Sequence, residues 1–155
     1  MKDKALIGSA GEHLVLSRLL SRGYLAAPAP RSTRRVDVLV NFIDGGAPFL
    51  VQVKATLNSA RTGWPLSAKH EDVGEDDLLF CFVTFHPEHP DVYVMPSARV
   101  ARHCKESHAT WLATPGRKGQ PHKDSNLRRL TNGAQNYGPA EGWMDEYLEA
   151  WHLFG

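Results

Sequence analysis

Residues 78–85 read Leu-Leu-Phe-Cys-Phe-Val-Thr-Phe, an apolar run interrupted only by a threonine. A strand of this composition offers no face to water, so it predicts a sheet covered on both sides. The flanking segments supply such a sheet and its cover. Residues 4–22 predict a helix, with Leu14, Leu16, Leu19 and Leu20 as a broad apolar stripe and Gly23 as its stop. Tyr24–Ala29 is short and apolar and is broken by Pro28 and Pro30. Residues 35–42 and 48–55 are rich in β-branched residues, and Asp44-Gly45-Gly46 between them is turn chemistry, which predicts a hairpin. Residues 57–77 read as a loop with a short irregular piece. Residues 91–95 predict a further strand, and Pro96-Ser97 opens a helix to about Cys104.

Beyond that point periodicity fades. Residues 105–140 are rich in Gly, Pro, Asn, Lys and Arg and predict a long basic loop, functional or disordered. Residues 141–154 predict a closing helix carrying Trp143, Tyr147, Leu148 and Trp151. No internal repeat or second core is visible. The element order implies one α/β domain over residues 1–155 with a mixed central sheet, its core at about 5–104.

Composition narrows the class. At 155 residues, 42% hydrophobic and 23% charged, the chain has ordinary globular content and enough length for a core of its own. No apolar run reaches the ~20 residues of a membrane span, and the N-terminus has no apolar stretch of a secretory kind. Cys81 and Cys104 stand in no CxxC pattern, which argues against a disulfide framework or structural zinc. These features lead us to expect a cytoplasmic protein with no membrane partner.

Net charge is +1, but it is unevenly placed. Residues 1–36 carry seven Lys/Arg against two acids, and residues 99–129 carry eight against two. The intervening 37–98 carry nine acids against three bases. Two basic segments flank an acidic middle; converging in space they would attract phosphate, and as separate solvated faces they would do nothing specific.

The informative residues break the apolar pattern. Glu12 shares a helix face with Leu16 and Leu19 at i, i+4 and i+7, and a carboxylate pointing near a sheet needs a cation, a metal or donors. Asp37 sits in a predicted strand between Val36 and Val38, although Asp is depleted in strands. Gln52 and Lys54 alternate with valines and so share one face of the next strand. Closing the hairpin at the Asp-Gly-Gly turn sets Asp37 opposite about residue 53–54. The plain alternative is a structural Asp37–Lys54 ion pair. Two acids, an amide oxygen and a lysine are more than one ion pair requires. Hard divalent cations take such oxygens, and a lysine beside them suits phosphodiester hydrolysis.

Gly11-Glu12 on a first helix, Arg35-Val36-Asp37 on a strand and Val51-Gln52-Val53-Lys54-Ala55-Thr56 on the next together resemble the PD-(D/E)xK nuclease superfamily. They are most similar to its Holliday-junction-resolvase-like and Mrr-like branches. The resemblance covers about residues 5–95. It implies a restriction-endonuclease-like core of helix, three-stranded meander, helix and strand, acting on DNA. It also implies Asp37 and Gln52 as ligands of Mg2+ or Mn2+, Lys54 as the catalytic lysine and Glu12 as the supporting acid. By analogy a homodimer is expected. Val36 replaces the name-giving proline. Gln52 replaces the usual acid, which removes a negative charge and should weaken metal binding.

Arg31, Arg34 and Arg35 precede Asp37 and are expected beside the cluster. Arg117, Lys118, Lys123, Arg128 and Arg129 form a candidate backbone-contacting segment. Trp64 and Trp111 are candidates for stacking on unpaired bases or for the core. His86 and His89 read as turn residues, Cys81 as core, and Cys104 has nothing nearby to activate it. Two functions follow from these readings: a metal-dependent endonuclease, or an inactive nuclease-fold module that binds nucleic acid or a protein. A toxin, immunity or phage-type accessory role is compatible with the size, and no residue selects it.

Overall fold

The computed structural model describes residues 3–57 and 63–155. Helix α1 spans Lys4–Ser21; Asp3 caps it, its carboxylate accepting from Ala5 N–H at 2.8 Å. Gly23 takes φ +88°, the left-handed turn that ends it. Strands follow at Leu25–Pro28 (β1), Val38–Asn41 (β2), Phe49–Leu57 (β3) and Trp64–Ser67 (β4). After a 3-10 turn at Ala68–Asp72 come β5 (Leu78–Phe85) and β6 (Pro90–Pro96). Helix α2 (Ser97–Ala113) and strand β7 (Leu127–Leu130) precede two 3-10 turns at Asp145–Tyr147 and Trp151–Phe154.

The main sheet has the order β1-β2-β3-β5-β6. Only its central pair, β3 and β5, is parallel, so the sheet is mixed. A two-stranded sheet of β4 and β7 lies apart from it. β5 is buried on both faces, as its composition requires. Leu79, Cys81 and Val83 pack with Val15 and Leu19 of α1, while Leu78, Phe80 and Phe82 pack with Trp64, Val100 and Leu130 on the other side. Two apolar layers thus sandwich one sheet in a single α/β domain.

α1 meets the sheet through Gly11, Val15 and Leu19, with Leu14 and Leu16 partly buried beside them and Leu20 turned to solvent. The expected leucine stripe is therefore rotated. Gly11 marks a close approach to β3: a Cβ there would lie 2.5 Å from the Ala55 Cβ.

Several boundaries differ from expectation. Tyr24–Ala29 contains the edge strand β1, and residues 57–77 contain β4. α2 runs past Cys104 to Ala113. Its buried face ends at Cys104, which removes the apolar period, while Ser107 and Thr110 hydroxyls donate to the carbonyls of His103 and Glu106 within the continuing helix. The 105–140 segment is accordingly not one loop, since β7 lies within it and pairs with β4. Residues 141–154 form 3-10 turns and no α-helix. Glu149 adopts φ 51° and donates its N–H to Val92 O at 2.8 Å, tying the chain to β6 and breaking helical geometry.

Candidate active site

β2 and β3 are antiparallel with Val38 opposite Val51, so Asp37 falls opposite Gln52, about one residue from the expected register. Asp37 N–H donates to Val51 O at 2.8 Å, and Ala29 N–H donates to Asp37 O at 2.9 Å. The Asp37 carboxylate accepts from Val53 N–H at 2.7 Å through Oδ2. That bond fixes the side chain against β3 and explains an Asp at the mouth of a strand: the carboxylate takes a donor the ladder leaves open.

Val51 and Val53 enter the α1 core. Alternation then sends Gln52 and Lys54 to the opposite face, that of their β5 partners Phe80 and Phe82. Gln52 is 7% exposed and its Oε1 has no hydrogen-bond partner. An orphaned buried carbonyl oxygen is uncommon and asks for a ligand or a solvent molecule. Burial pushes the Lys54 ammonium below the ordinary lysine range; the Asp37 charge opposes this and Lys69 adds to it. Glu12 rises above the usual carboxylate range, first through burial and then through the Asp37 charge, with His13 opposing. A cleft of about 30 Å³ between α1 and the strands, lined by Glu12, His13, Leu16, Pro28, Asp37 and Val38, joins the two acids.

The structure thus couples Glu12 and Lys54 each to Asp37, and sets Gln52 opposite Asp37 in the strand register. No ion pair joins Asp37 to Lys54 among the described residues, so the simple structural pair does not account for the lysine. No group of three or more His, Cys, Asp or Glu positioned for a metal occurs among the described residues. The oxygen donors here are two carboxylates and the Gln52 amide.

Arg31, Arg34 and Arg35 are exposed on the segment leading into β2. Arg35 adopts φ 66°, a left-handed conformation rare for a long side chain and a mark of functional or local constraint. Lys69 and His70, on the turn after β4, also act on this site, since the charges of Lys54, Lys69 and Arg35 all bear on the His70 ring. Sequence reasoning missed them: both lie in a stretch read as loop, and no local spacing points to a contact with β3.

Among the second basic group, Arg117, Lys118, Lys123 and Arg129 are exposed, and Arg128 corrects the expectation. It is 7% exposed, donates from Nε to Glu71 at 2.6 Å, and uses Nη1 on the carbonyls of Ser125 and Leu127. Arg128 is therefore a structural cation braced inside the fold. Trp64 is core as well, 1% exposed with its indole N–H on Val83 O at 2.9 Å. Trp111 is stacked against His108 and His122. His86 and His89 sit around Asp91 in a turn. Burial raises both thiols, that of Cys104 to about 12, so neither is an activated nucleophile. A larger cavity of about 460 Å³ beside α2 and β7, lined by Trp111, Arg129 and Tyr137 among others, holds no carboxylate, so the acid cluster marks the chemistry better than cavity size does.

No helix among the described residues is long and apolar enough to cross a membrane. No family model matches the chain, and no curated protein does. Among solved structures, it is similar to the bacterial homing endonuclease I-Ssp6803I at 20% identity and a TM-score of 0.56. The likeness covers 99% of this chain and 91% of that one, and at this identity it is a likeness of fold.

Proposed function

We propose that this chain is a divalent-metal-dependent endonuclease that hydrolyses phosphodiester bonds of DNA, built as a QxK variant of the PD-(D/E)xK pattern. The observation that carries the reading is the cluster itself: Asp37 locked by Val53 N–H, Glu12 coupled to it, an unpartnered buried Gln52 oxygen and an untethered Lys54. The homing endonuclease fold supports DNA as the polymer.

The donor set fits a hard cation: two carboxylates and a free amide oxygen suit Mg2+ or Mn2+. Glu12, Asp37 and Gln52 would hold the ion, which when bound supplies Lewis-acid polarisation of a phosphoryl oxygen. Asp37 needs no reorganisation for this, since Oδ2 is already anchored on β3 and Oδ1 remains for a ligand. Lys54, whose charge is felt by Asp37, orients the attacking water and offsets the charge that builds on the phosphoryl oxygens. Arg31, Arg34 and Arg35 lie along the approach to Asp37 and attract the backbone.

The test is cleavage of supercoiled, linear, single-stranded and branched DNA in Mg2+, Mn2+ and EDTA. Metal-dependent cleavage by the wild type that is lost in Asp37→Ala supports the reading, and equal cleavage by Asp37→Ala refutes it. One observation favours a second reading, an inactive module that binds nucleic acid. Only two acids line the site, because Gln52 is neutral. That reading expects salt-sensitive binding with no cleavage in either metal.

A further inference from the structure

His70 is 3% exposed, and its Nε2 has no hydrogen-bond partner. Its other ring nitrogen is well held. Ser67 N–H donates to Nδ1 at 3.0 Å, with the Ser67 hydroxyl at 3.2 Å. A nitrogen that accepts an N–H carries a lone pair, so the ring proton of the neutral imidazole sits on Nε2. The Ser67 carbonyl, at 3.2 Å, is the more distant alternative partner. Nε2–H is thus a buried donor with no acceptor, which costs free energy unless a ligand completes it.

The surroundings define that ligand. The ring packs edge-on against Phe80, the β5 partner of Gln52, which places His70 on the face that Gln52 and Lys54 share. The charges that bear on it among the described residues are the cations Lys54, Lys69 and Arg35. Among these charges the ring is kept from becoming a fourth cation by burial, so it offers a neutral, fixed donor. Arg35, whose charge bears on the ring, takes a left-handed backbone at φ 66°, a strained conformation of the kind that clusters at ligand sites.

We propose that His70 Nε2–H, Lys69 and Arg35 form an oxyanion subsite beside Lys54 that binds a non-bridging oxygen of a nucleic-acid phosphate. The subsite deepens the phosphodiesterase reading and rests on it for the identity of the polymer. In that role His70 is a positioning residue: it fixes where the phosphate sits relative to Asp37 and Lys54.

The probe is inorganic phosphate, titrated in EDTA with no DNA present, read by the ring 15N and 1H resonances of His70. The expected result is a saturable shift of the Nε2–H signal with the Nδ1 lone pair retained. His70→Phe keeps an aromatic ring against Phe80 and removes the donor. It should bind phosphate about tenfold more weakly, the loss of one charge-assisted hydrogen bond. His70→Gln, which restores a donor, should recover most of the affinity, and a purely structural role would not produce that recovery. Lys69→Ala, an exposed change that leaves the fold alone, should weaken binding as well. Saturable phosphate binding that leaves the His70 ring resonances unmoved overturns the subsite, as does no phosphate binding at all. Because the titration needs neither metal nor turnover, its failure beside active wild-type cleavage removes the subsite and leaves the nuclease. Phosphate binding in a protein that never cleaves leaves the subsite and removes the nuclease.

Discussion

Gly11→Ala should destabilise the protein, although alanine is the better helix former by about 1 kcal/mol. A Cβ at Gly11 would meet Ala55 Cβ at 2.5 Å and Val53 Cγ1 at 3.4 Å. Carbon atoms pack comfortably at about 3.5–4.0 Å, so α1 must retreat from β3 by about 1 Å. The retreat loosens Val15 and Leu19, both fully buried, against the sheet. Overpacking of this kind costs about 1–3 kcal/mol. After the helix gain is subtracted, a loss of about 1 kcal/mol remains. Gly8 supplies the control on the same helix. Nothing lies within 4 Å of a Cβ there, so Gly8→Ala should stabilise by the propensity difference alone. Urea unfolding at constant m-value reads both. Adding Ala55→Gly to Gly11→Ala removes the clashing methyl and should show favourable coupling. The neighbouring Glu12 moves with the helix, so the same substitution should depress any metal-dependent activity. A Gly11→Ala protein as stabilised as Gly8→Ala would refute the close helix–sheet contact that positions the site.

Arg128→Ala should cost about 3 kcal/mol in chemical unfolding, because it strands Glu71 without its buried partner; a change within experimental error would return Arg128 to the surface. Stability should fall as pH drops below 6.5. His70 and His103 are both held below the ordinary histidine value, chiefly by burial, so the unfolded chain takes up protons there before the folded one does. The stabilisation is present above 6.5, and thermal melting should show it being lost progressively as the pH falls from 7.5 to 5.5. His103→Gln should flatten this slope, and an unchanged slope would contradict the assignment. Replacing Arg31 and Arg34 together with alanine should lower duplex affinity and shallow its salt dependence by about two counterions, measured by fluorescence anisotropy; an unaltered salt slope would separate this segment from the backbone contact.

How far the sequence speaks for this fold depends on how local the signal is. β5 announces itself because seven of its eight positions are buried, and the β2–β3 hairpin is marked by Asp44-Gly45-Gly46. Asp37, Gln52 and Lys54 stood out as polar residues inside such strands, and Glu12 as an acid on an apolar helix face. The observed register differs from the expected one by about one residue, a shift that turn chemistry alone does not settle. β4 and β7 carry little local signal, because each is four residues long and the pairing spans some sixty residues of chain. Pro65 further disguises β4. α2 outruns its apolar period because its fully buried positions end at Cys104. The final helix failed at Glu149, whose left-handed backbone is set by a long-range bond to Val92. Arg128 illustrates the same limit for function: in sequence it is one of five bases in a basic stretch, and only Glu71, 57 residues away, makes it structural.

The most direct test of the central claim is single-turnover cleavage of supercoiled DNA by wild type and Lys54→Ala in Mn2+, with DNA affinity measured on the same preparations. The site described here requires wild-type cleavage and a loss of at least about 100-fold in Lys54→Ala, while binding falls only modestly. Cleavage that survives undiminished in Lys54→Ala would contradict it.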